Sequence, residues 1–292
     1  MGMGINSAIS APVCTPVQPG QNNQCQVREE HFDDMGTALD EVLTSVPSNP
    51  SLPGPTFMFG YTHREVNSHR SAVRVFAEEI LPHFASRGYH DLVLEIFPHG
   101  QPTDQIEIEI AEFNRTGNVG QEMQSFIPIL DRANFELLLR QAFQHGVRIH
   151  SGGVDYNNIF ETIFHPALRS SPERMQRTIN EINQNSANVI SHLARNRKRV
   201  FSLNGCLHNN LRQDQASSGF GRSIAQEFPG RTIEVDLVIP ELSRRISRGE
   251  KYFRRLPLSP NCHWERFIPR SGINLATPED ARNSHILVLT RR

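Results

Sequence analysis

Long hydrophobic runs are missing from this chain of 292 residues. No apolar stretch approaches the roughly 20 residues that a membrane-spanning helix requires. The N-terminus also lacks the basic region followed by an apolar region that a secretory signal peptide would have. We therefore expect no transmembrane segment and no signal of that kind. A chain of this length can bury one large core, with or without an extension.

Cysteine and lysine are both scarce. The four cysteines have neither C-x-x-C nor zinc-ribbon spacing, so we expect a reducing compartment rather than a disulfide framework. Lysine occurs only as Lys198 and Lys251 among the 30 basic residues. A GC-rich genome explains this scarcity, and avoidance of ubiquitination is the alternative explanation.

A strong net charge is missing as well. The chain has 30 basic and 31 acidic residues and a pI near 6.9. This balance argues against a general electrostatic attraction to nucleic acids or acidic membranes. Basic runs occur at 195–199 and 244–248, but such runs are usually solvated surfaces. We expect no nucleic-acid partner.

The first 27 residues differ in composition from the rest, because they contain no Asp, Glu, Lys or Arg. Such a segment cannot bury enough surface to offset the entropy of ordering, which predicts disorder. One amphipathic helix is expected over 28–46, followed by a Pro-rich linker over 47–55. We divide the chain into an extension and linker, 1–50, and a folded domain, 51–292.

Strand patterns and helix patterns alternate after the linker. The pattern predicts strands near 56–60, 90–97, 147–151, 199–204, 232–239 and 286–289, and helices near 66–86, 122–145, 172–196 and 219–228. The stretch 98–120 reads as a polar, acidic excursion. The alternation indicates an α/β fold with a mostly parallel central sheet flanked by helices. The last strand is expected to be an antiparallel edge.

Two of the expected strands end in the same way, with a glycine and then a histidine. Gly60 precedes His63 by three positions, and Gly205 precedes His208 by the same spacing. A glycine permits a tight turn after a buried strand, so that the next side chains are exposed at the edge of the sheet. An imidazole there can act as a general base or a metal ligand.

Two carboxylates accompany these histidines. Glu95 lies inside the apolar run 92–97, where an unpaired buried carboxylate would be costly. Asp155 follows a Gly-Gly pair after the strand near 147–151. Because the carboxyl ends of parallel strands meet at one edge, these two side chains are predicted to share one crevice with the two histidines.

Each candidate also has a structural alternative. His63 could cap a helix, Glu95 could pair with an arginine, and Asp155 could be an N-cap residue. Cys206 could be a nucleophile, although a lone buried cysteine is usually a small hydrophobic residue. Tyr61 could hold haem iron together with a histidine. The chain has no P-loop, dinucleotide turn, G-x-S-x-G elbow or H-E-x-x-H motif, which disfavours those enzyme classes.

The order of the motifs resembles the superfamily of Tiki and TraB proteins, ChaN haem-uptake proteins and erythromycin esterases, which also includes a domain of the Pasteurella toxin. The motifs are Gly60-Tyr61-Thr62-His63, Glu95 and Gly205-Cys206-Leu207-His208-Asn209. Members hydrolyse peptides or lactones, or bind haem. The resemblance implies a site that uses both histidines and Glu95. Esterase and ChaN members have Glu after the first glycine, where this chain has Tyr61.

The N-terminus is similar to the type III secretion signals of plant-pathogenic bacteria. Those signals are Ser-rich, lack early acidic residues and often have an aliphatic residue just after the start, as in Met3-Gly4-Ile5-Asn6-Ser7. This similarity implies an effector that is injected into the host cytoplasm, with membrane association left open. Its partner would be a host protein or a small molecule, and the oligomeric state is left open.

Together, the resemblances imply an effector with an esterase- or metalloprotease-like hydrolase domain that triggers host responses such as cell death. His63, Glu95, Asp155 and His208 are the expected catalytic residues. A divalent metal held by His63, Glu95 and His208 is the first cofactor to consider, and haem at Tyr61 is the second. The alternatives are a non-enzymatic effector that binds or is recognised by a host protein, and a haem-binding ChaN-like protein.

Overall fold

A sheet of eight strands lies at the centre of the part of the chain that the computed structural model describes. That part comprises residues 27–46, 54–61, 71–99, 104–128, 131–154, 172–206, 208, 209, 211, 219–239, 272–278 and 283–289. The strands are β1 (Val27–Phe32), β2 (Thr56–Tyr61), β3 (Asp91–Pro98), β4 (Arg148–Gly153), β5 (Val200–Gly205), β6 (Thr232–Val238), β7 (Ile273–Pro278) and β8 (Ser284–Leu289). Their order across the sheet is β1-β7-β8-β6-β2-β5-β3-β4.

Helices pack against this sheet. They are α1 (Met35–Thr44), α2 (Ala72–Val75), α3 (Leu81–Ser86), α4 (Asp104–Thr116), α5 (Gln121–Phe126), α6 (Arg132–Gln144), α7 (Pro172–Arg195) and α8 (Gly221–Glu227). A π-helical segment, Phe76–Ile80, joins α2 to α3. None of the helices in the described ranges is both long enough and apolar enough to cross a membrane.

The sheet is mostly parallel. Parallel pairs join β4, β3, β5, β2, β6 and β8, whereas β7 is antiparallel to both of its neighbours, β1 and β8. The expected fold class is therefore confirmed: an α/β domain with a mostly parallel sheet flanked by helices. The prediction for the last strand was wrong, because β8 lies inside the sheet and pairs in parallel with β6.

Residues 27–46 also differ from the expected single helix. Val27–Phe32 is an edge strand that pairs with β7, and only Met35–Thr44 is helical. Asp34 separates the two elements, because its side chain accepts a hydrogen bond from the N–H of Thr37 at 2.8 Å and caps α1. Through this pairing residues 27–32 belong to the sheet, although the folded domain was expected to begin at residue 51. Residues 1–26 and the linker 47–53 lie outside the described residues.

Two helical predictions in the middle of the chain need correction. The expected polar excursion contains the helix α4, and the expected helix 122–145 is divided into α5 and α6. The division occurs at Ile127, which adopts an extended conformation (φ −68°, ψ 123°) before Pro128. Proline restricts the preceding residue to extended conformations, so α5 ends there.

Apolar side chains fill the space between the sheet and α1, α3 and α6. The Phe84 ring lies at centroid distances of 4.9 to 5.6 Å from the rings of Phe57, Phe59, Tyr89 and Phe201. Such edge-to-face and stacked pairs add to the hydrophobic free energy of burial. Over the central strands β2, β3, β5 and β6 this face of the sheet is apolar, with inward side chains alternating along each strand.

The opposite face, which packs on α7 and α8, changes in polarity along the strands. Toward the amino-terminal ends of the strands it carries the apolar side chains Met58, Val93 and Val200, with the buried polar Ser202 and Glu234 on the strands either side of Met58. Its carboxyl-terminal part carries fully or almost fully buried polar side chains: Glu95, Asn204 and Asp236. A buried polar layer at the carboxyl ends of parallel strands is where ligands bind in open α/β sheets.

Candidate functional site

Glu95 lies in this polar layer, on β3, and its side chain is completely buried. Its Oε2 accepts a hydrogen bond from the N–H of Gly205, at the end of β5, at 2.8 Å. The pairing of β3 with β4 shifts in register between Leu94 and Pro98, so the strand is irregular at this point. Glu95 thus connects the ends of two neighbouring strands, and a charge-assisted hydrogen bond offsets part of the cost of burying it.

His208 follows β5 and is also buried, with 8% of its surface exposed. Its N–H donates to the carbonyl oxygen of Gly205 at 2.9 Å, which folds the segment back onto the strand end. The ring Nδ1 lies 2.9 Å from Oδ1 of Asn183 on α7. An amide oxygen only accepts, so Nδ1 donates in this contact and Asn183 orients the ring.

Asn209 connects the same segment to the sheet through two hydrogen bonds. Its Nδ2 donates to Oδ1 of Asp236 on β6 at 3.0 Å and to the carbonyl oxygen of Met58 on β2 at 3.2 Å. Both side chains approach β2 at Gly60, where an added Cβ would lie 2.5 Å from Nδ2 of Asn209. Glycine is therefore required at position 60 because there is no space for a side chain.

Asp236 is almost completely buried, and this burial raises the pKa of its carboxyl group to about 7. Its Oδ2 and Oδ1 of Asn209 have no hydrogen-bond partner among the described residues. Oγ of Ser202 and Oδ1 of Asn204, on the same face, are in the same situation. Most buried polar atoms in proteins are paired, so a concentration of exceptions indicates a place for water or a ligand.

The five residues expected from the sequence have different outcomes. Glu95 and His208 lie in one polar layer and are connected through Gly205. Tyr61 is 3% exposed and belongs to the apolar cluster on the opposite face of the sheet, which does not favour its use as a haem ligand in the crevice. His63 and Asp155 lie outside the described residues. Within the described ranges, no group of three or more His, Cys, Asp or Glu could hold a metal ion.

Three side chains of this site were not among the expected site residues: Asp236, Asn183 and Asn209, the last of which was named only as part of the motif that begins at Gly205. Asp236 could have been found, because it interrupts the apolar strand β6 as Glu95 interrupts β3. Asn209 directly follows His208 but has no distinctive spacing. Asn183 lies on α7, where nothing in the sequence distinguishes it from the other amides of that helix.

A second polar group lies beside the edge strand β4. Ser151 donates a hydrogen bond to Oε1 of Glu107, and Nδ1 of His99 lies 3.0 Å from the Ser151 hydroxyl and 3.2 Å from the same Glu107 oxygen. The hydrogen bond with His99 holds the pKa of Glu107 below its usual range, so this carboxylate is a weak base. A cavity of about 810 Å³ between α4 and α7 adjoins these residues, and its described lining includes neither Glu95 nor His208.

Comparisons with known proteins give similarity only at the level of structure. No family model matches the chain, and no curated protein matches its sequence. Solved structures with a similar arrangement include the type III effector HopBA1, at 9% identity and a TM-score of 0.46, with 93% of this chain and 99% of that chain covered. A protein from Bacillus cereus aligns at 10% identity and a TM-score of 0.41, over 69% and 68% of the two chains.

A toxin domain is also similar in structure. RRSP, a MARTX toxin effector domain from Vibrio vulnificus, aligns at 15% identity and a TM-score of 0.43 over 67% of this chain. The alignment covers only 38% of that chain, so this protein spans well under half of the toxin structure. At these identities and scores, the likenesses carry no argument about function.

Proposed function

We propose that the buried polar layer at the carboxyl ends of β2, β3, β5 and β6 is part of a hydrolase site in which His208 and Glu95 act together with His63. The hydrogen bond from Gly205 to Glu95 carries this proposal. It holds the buried carboxylate of Glu95 at the end of β5, the strand that leads into the buried His208. A purely structural strand end would have no need of these two titratable groups in a layer that also contains unpartnered polar atoms.

The geometry of His208 suits a general base. Because Nδ1 is held by Asn183, Nε2 is the nitrogen that can take a proton from water. The carboxylate of Glu95 would stabilise the imidazolium that results or would hold a metal. His63 would stabilise the developing negative charge on the substrate. The assignment of His63, like that of Asp155 as a further acid, rests on the sequence alone.

We also propose that the protein is a bacterial effector that acts in the host cytoplasm and causes host cell death. This proposal rests on the N-terminal segment, which lacks charged residues and is similar to type III secretion signals. Its target would be a host protein or a small molecule with a hydrolysable ester, lactone or peptide bond.

A non-enzymatic effector is the second candidate, and one observation favours it. Both the burial of Glu95 and its hydrogen bond to the backbone are what a structural carboxylate would show. The crevice would then be a remnant, and the host would recognise the surface of the protein rather than a product of its reaction.

Substitution of the histidines in host tissue separates the two candidates. For the hydrolase, His63→Ala and His208→Ala abolish the host response, because loss of a general base typically costs 10²- to 10⁴-fold in rate. Cell death would be scored at equal protein levels. His192→Ala is the matched control, since this exposed residue lies in the last turn of α7.

The folded state of each variant would be checked by its urea unfolding midpoint. A full host response to folded His63→Ala and His208→Ala proteins would rule out the hydrolase and leave the non-enzymatic candidate.

A further inference from the structure

Basic residues accumulate at the edge of the sheet opposite the crevice. The described loops that lead into β3, β5 and β6 span 87–90, 196–199 and 228–231, and they contain five basic residues and no Asp or Glu. We call this set the basic edge: Arg87, Arg197, Lys198, Arg199 and Arg231. The whole chain is nearly neutral, so the charge is segregated on the surface rather than spread evenly.

The loops of the basic edge lie side by side, because the first residues of the neighbouring strands are aligned in register across the sheet. Asp91 of β3 lies opposite Val200 of β5, and Thr56 of β2 lies opposite Thr232 of β6. Phe57 lies opposite Phe201, which connects the two pairs. With strands 4.7–4.9 Å apart, the loops spread over roughly 14 Å from β6 to β3. They form a broad, shallow surface rather than a groove.

The charges at this edge are largely uncompensated. Arg87 pairs with Asp40 at 2.6 Å, and the nearby Arg195 pairs with Glu227. Within the described residues, Arg197, Lys198, Arg199 and Arg231 form no ion pair. The Arg199 side chain donates to the carbonyl oxygen of Arg87, and its guanidinium lies 5.9 Å from the centre of the Tyr89 ring, so neither contact neutralises its charge.

Arg197 occupies a position that normally belongs to glycine. It has φ +58° and ends α7 in a Schellman motif, in which the N–H of Arg197 donates to Ala194 and the N–H of Lys198 donates to Leu193. A left-handed conformation is strained for an arginine, because its Cβ approaches the following carbonyl oxygen. Attraction to the helix dipole does not explain this choice, since Arg195 and His192 already place basic groups in the last turn.

We propose that the basic edge binds an anionic lipid surface and leaves the crevice on the far side of the sheet facing away from it. Guanidinium groups bind phosphate in a bidentate manner, and each basic residue near such a surface contributes additively. A level surface of loops fits a membrane better than a nucleic acid, because single strands need exposed aromatic rings for stacking. Of the two aromatic rings in these loops, Tyr89 is only 3% exposed and Phe228 is partly buried against the apolar cluster beneath α7 and α8.

Vesicle co-sedimentation tests this proposal with the full chain. We expect binding to phosphatidylcholine vesicles that contain phosphatidylserine, little binding to phosphatidylcholine alone, and loss of binding at high salt. Arg197→Gly should lower the partition coefficient about fivefold, and the double variant R197G/K198Q about thirtyfold. Arg132→Gln is the matched control and should bind like the wild type. Arg132 is the first residue of α6 and therefore lies at the end of that helix that is far from the basic edge.

Stability measurements distinguish a binding role from a structural one. Arg197→Gly should raise the urea midpoint while it weakens vesicle binding, since glycine removes the left-handed strain. A lower midpoint would show that Arg197 serves the fold, and it would overturn the proposal. Equal binding by R197G/K198Q and Arg132→Gln, or binding to duplex DNA without binding to phosphatidylserine vesicles, would also overturn it.

Discussion

Glu95 and Asp236 are two acids buried in apolar strands, and the protein accommodates them differently. The carboxyl group of Glu95 accepts a hydrogen bond from the backbone N–H of Gly205. Asp236 accepts a hydrogen bond from the uncharged amide of Asn209, and its burial raises the pKa to about 7. The same sequence argument, an acid inside an apolar run, applies to both residues but was used only for Glu95. What the sequence could not indicate is which partner each acid has.

Replacement of Asp236 by Asn should change the pH dependence of stability. Between about pH 4 and pH 7 the unfolded aspartate is ionised while the folded one keeps its proton, so the wild type loses stability as pH rises through this range. Asp236→Asn removes this loss, and its advantage should grow from almost nothing near pH 4 to roughly 2–4 kcal/mol at pH 8. Urea unfolding at several pH values measures the difference.

The lowered pKa values of Asp91 and Glu107 make the opposite contribution in both proteins, so the difference between the two curves reports Asp236 and the group that titrates with it. Stability curves of the wild type and Asp236→Asn that stay parallel from pH 4 to pH 8 would show that Asp236 is ionised in the folded protein.

At the scale of elements, one side chain forms hydrogen bonds with the outward-facing backbone of the edge strand β4. Asn114 of α4 donates to the carbonyl oxygen of Ile149 at 2.9 Å and accepts from its N–H at 2.8 Å. The amide thus satisfies the outward backbone groups of Ile149 as a neighbouring strand would. Natural sheets commonly block their edges against pairing with other chains.

Asn114→Ala should therefore weaken the protein in two ways. Loss of both hydrogen bonds should lower the free energy of unfolding by about 1–3 kcal/mol. The exposed edge should also increase association at high protein concentration. Urea unfolding and light scattering measure these effects. The exposed Asn118, four residues later, provides the control, and Asn118→Ala should change stability by less than about 0.5 kcal/mol. Equal behaviour of the two variants would contradict the role of Asn114.

The elements that could be predicted are those in which the hydrophobic residues follow one clear pattern along the sequence. The long amphipathic α7 and the apolar strands β2, β3, β5 and β6 were expected close to their observed bounds. The helix α4 was missed because its polar and acidic residues led to the interpretation of 98–120 as an excursion, and its isoleucines Ile106, Ile108 and Ile110 alternate rather than follow a helical period. In the helix, Ile106 and Ile110 are buried while Ile108 is 60% exposed. β1 was missed because charged residues dominate it.

At the scale of the whole molecule, the strand order determines which parts are held most firmly. The central strands β2 and β5 have a hydrogen-bonded neighbour on each side, whereas β1 has β7 as its one neighbour among the described strands. A parallel sheet followed from the alternation of elements, but the order of its strands did not. Side-chain periodicity determines which face of a strand is buried and does not determine its neighbour.

Amide hydrogen exchange should reflect this order. We expect the amides of β2 and β5 to exchange only through global unfolding, whereas β1 opens locally and exchanges faster by on the order of a hundredfold or more. Exchange followed by mass spectrometry of peptides that cover 27–32, 56–61 and 200–205 makes the comparison. Protection of β1 equal to that of β2 would mean that the edge strand is part of the same cooperative unit.

The pairing of β1 with β7 has a consequence during synthesis. Phe32 lies opposite Ile273, so roughly 240 residues of sequence separate the two strands. A ribosome that adds about 5–20 residues per second needs on the order of 10 to 50 s to produce the partner strand. β8, which links β7 to β6, is made later still. Throughout that interval β1 has no partner strand. The nascent chain then depends on chaperones, or on the charged residues of β1 itself, to avoid β-sheet pairing with other chains.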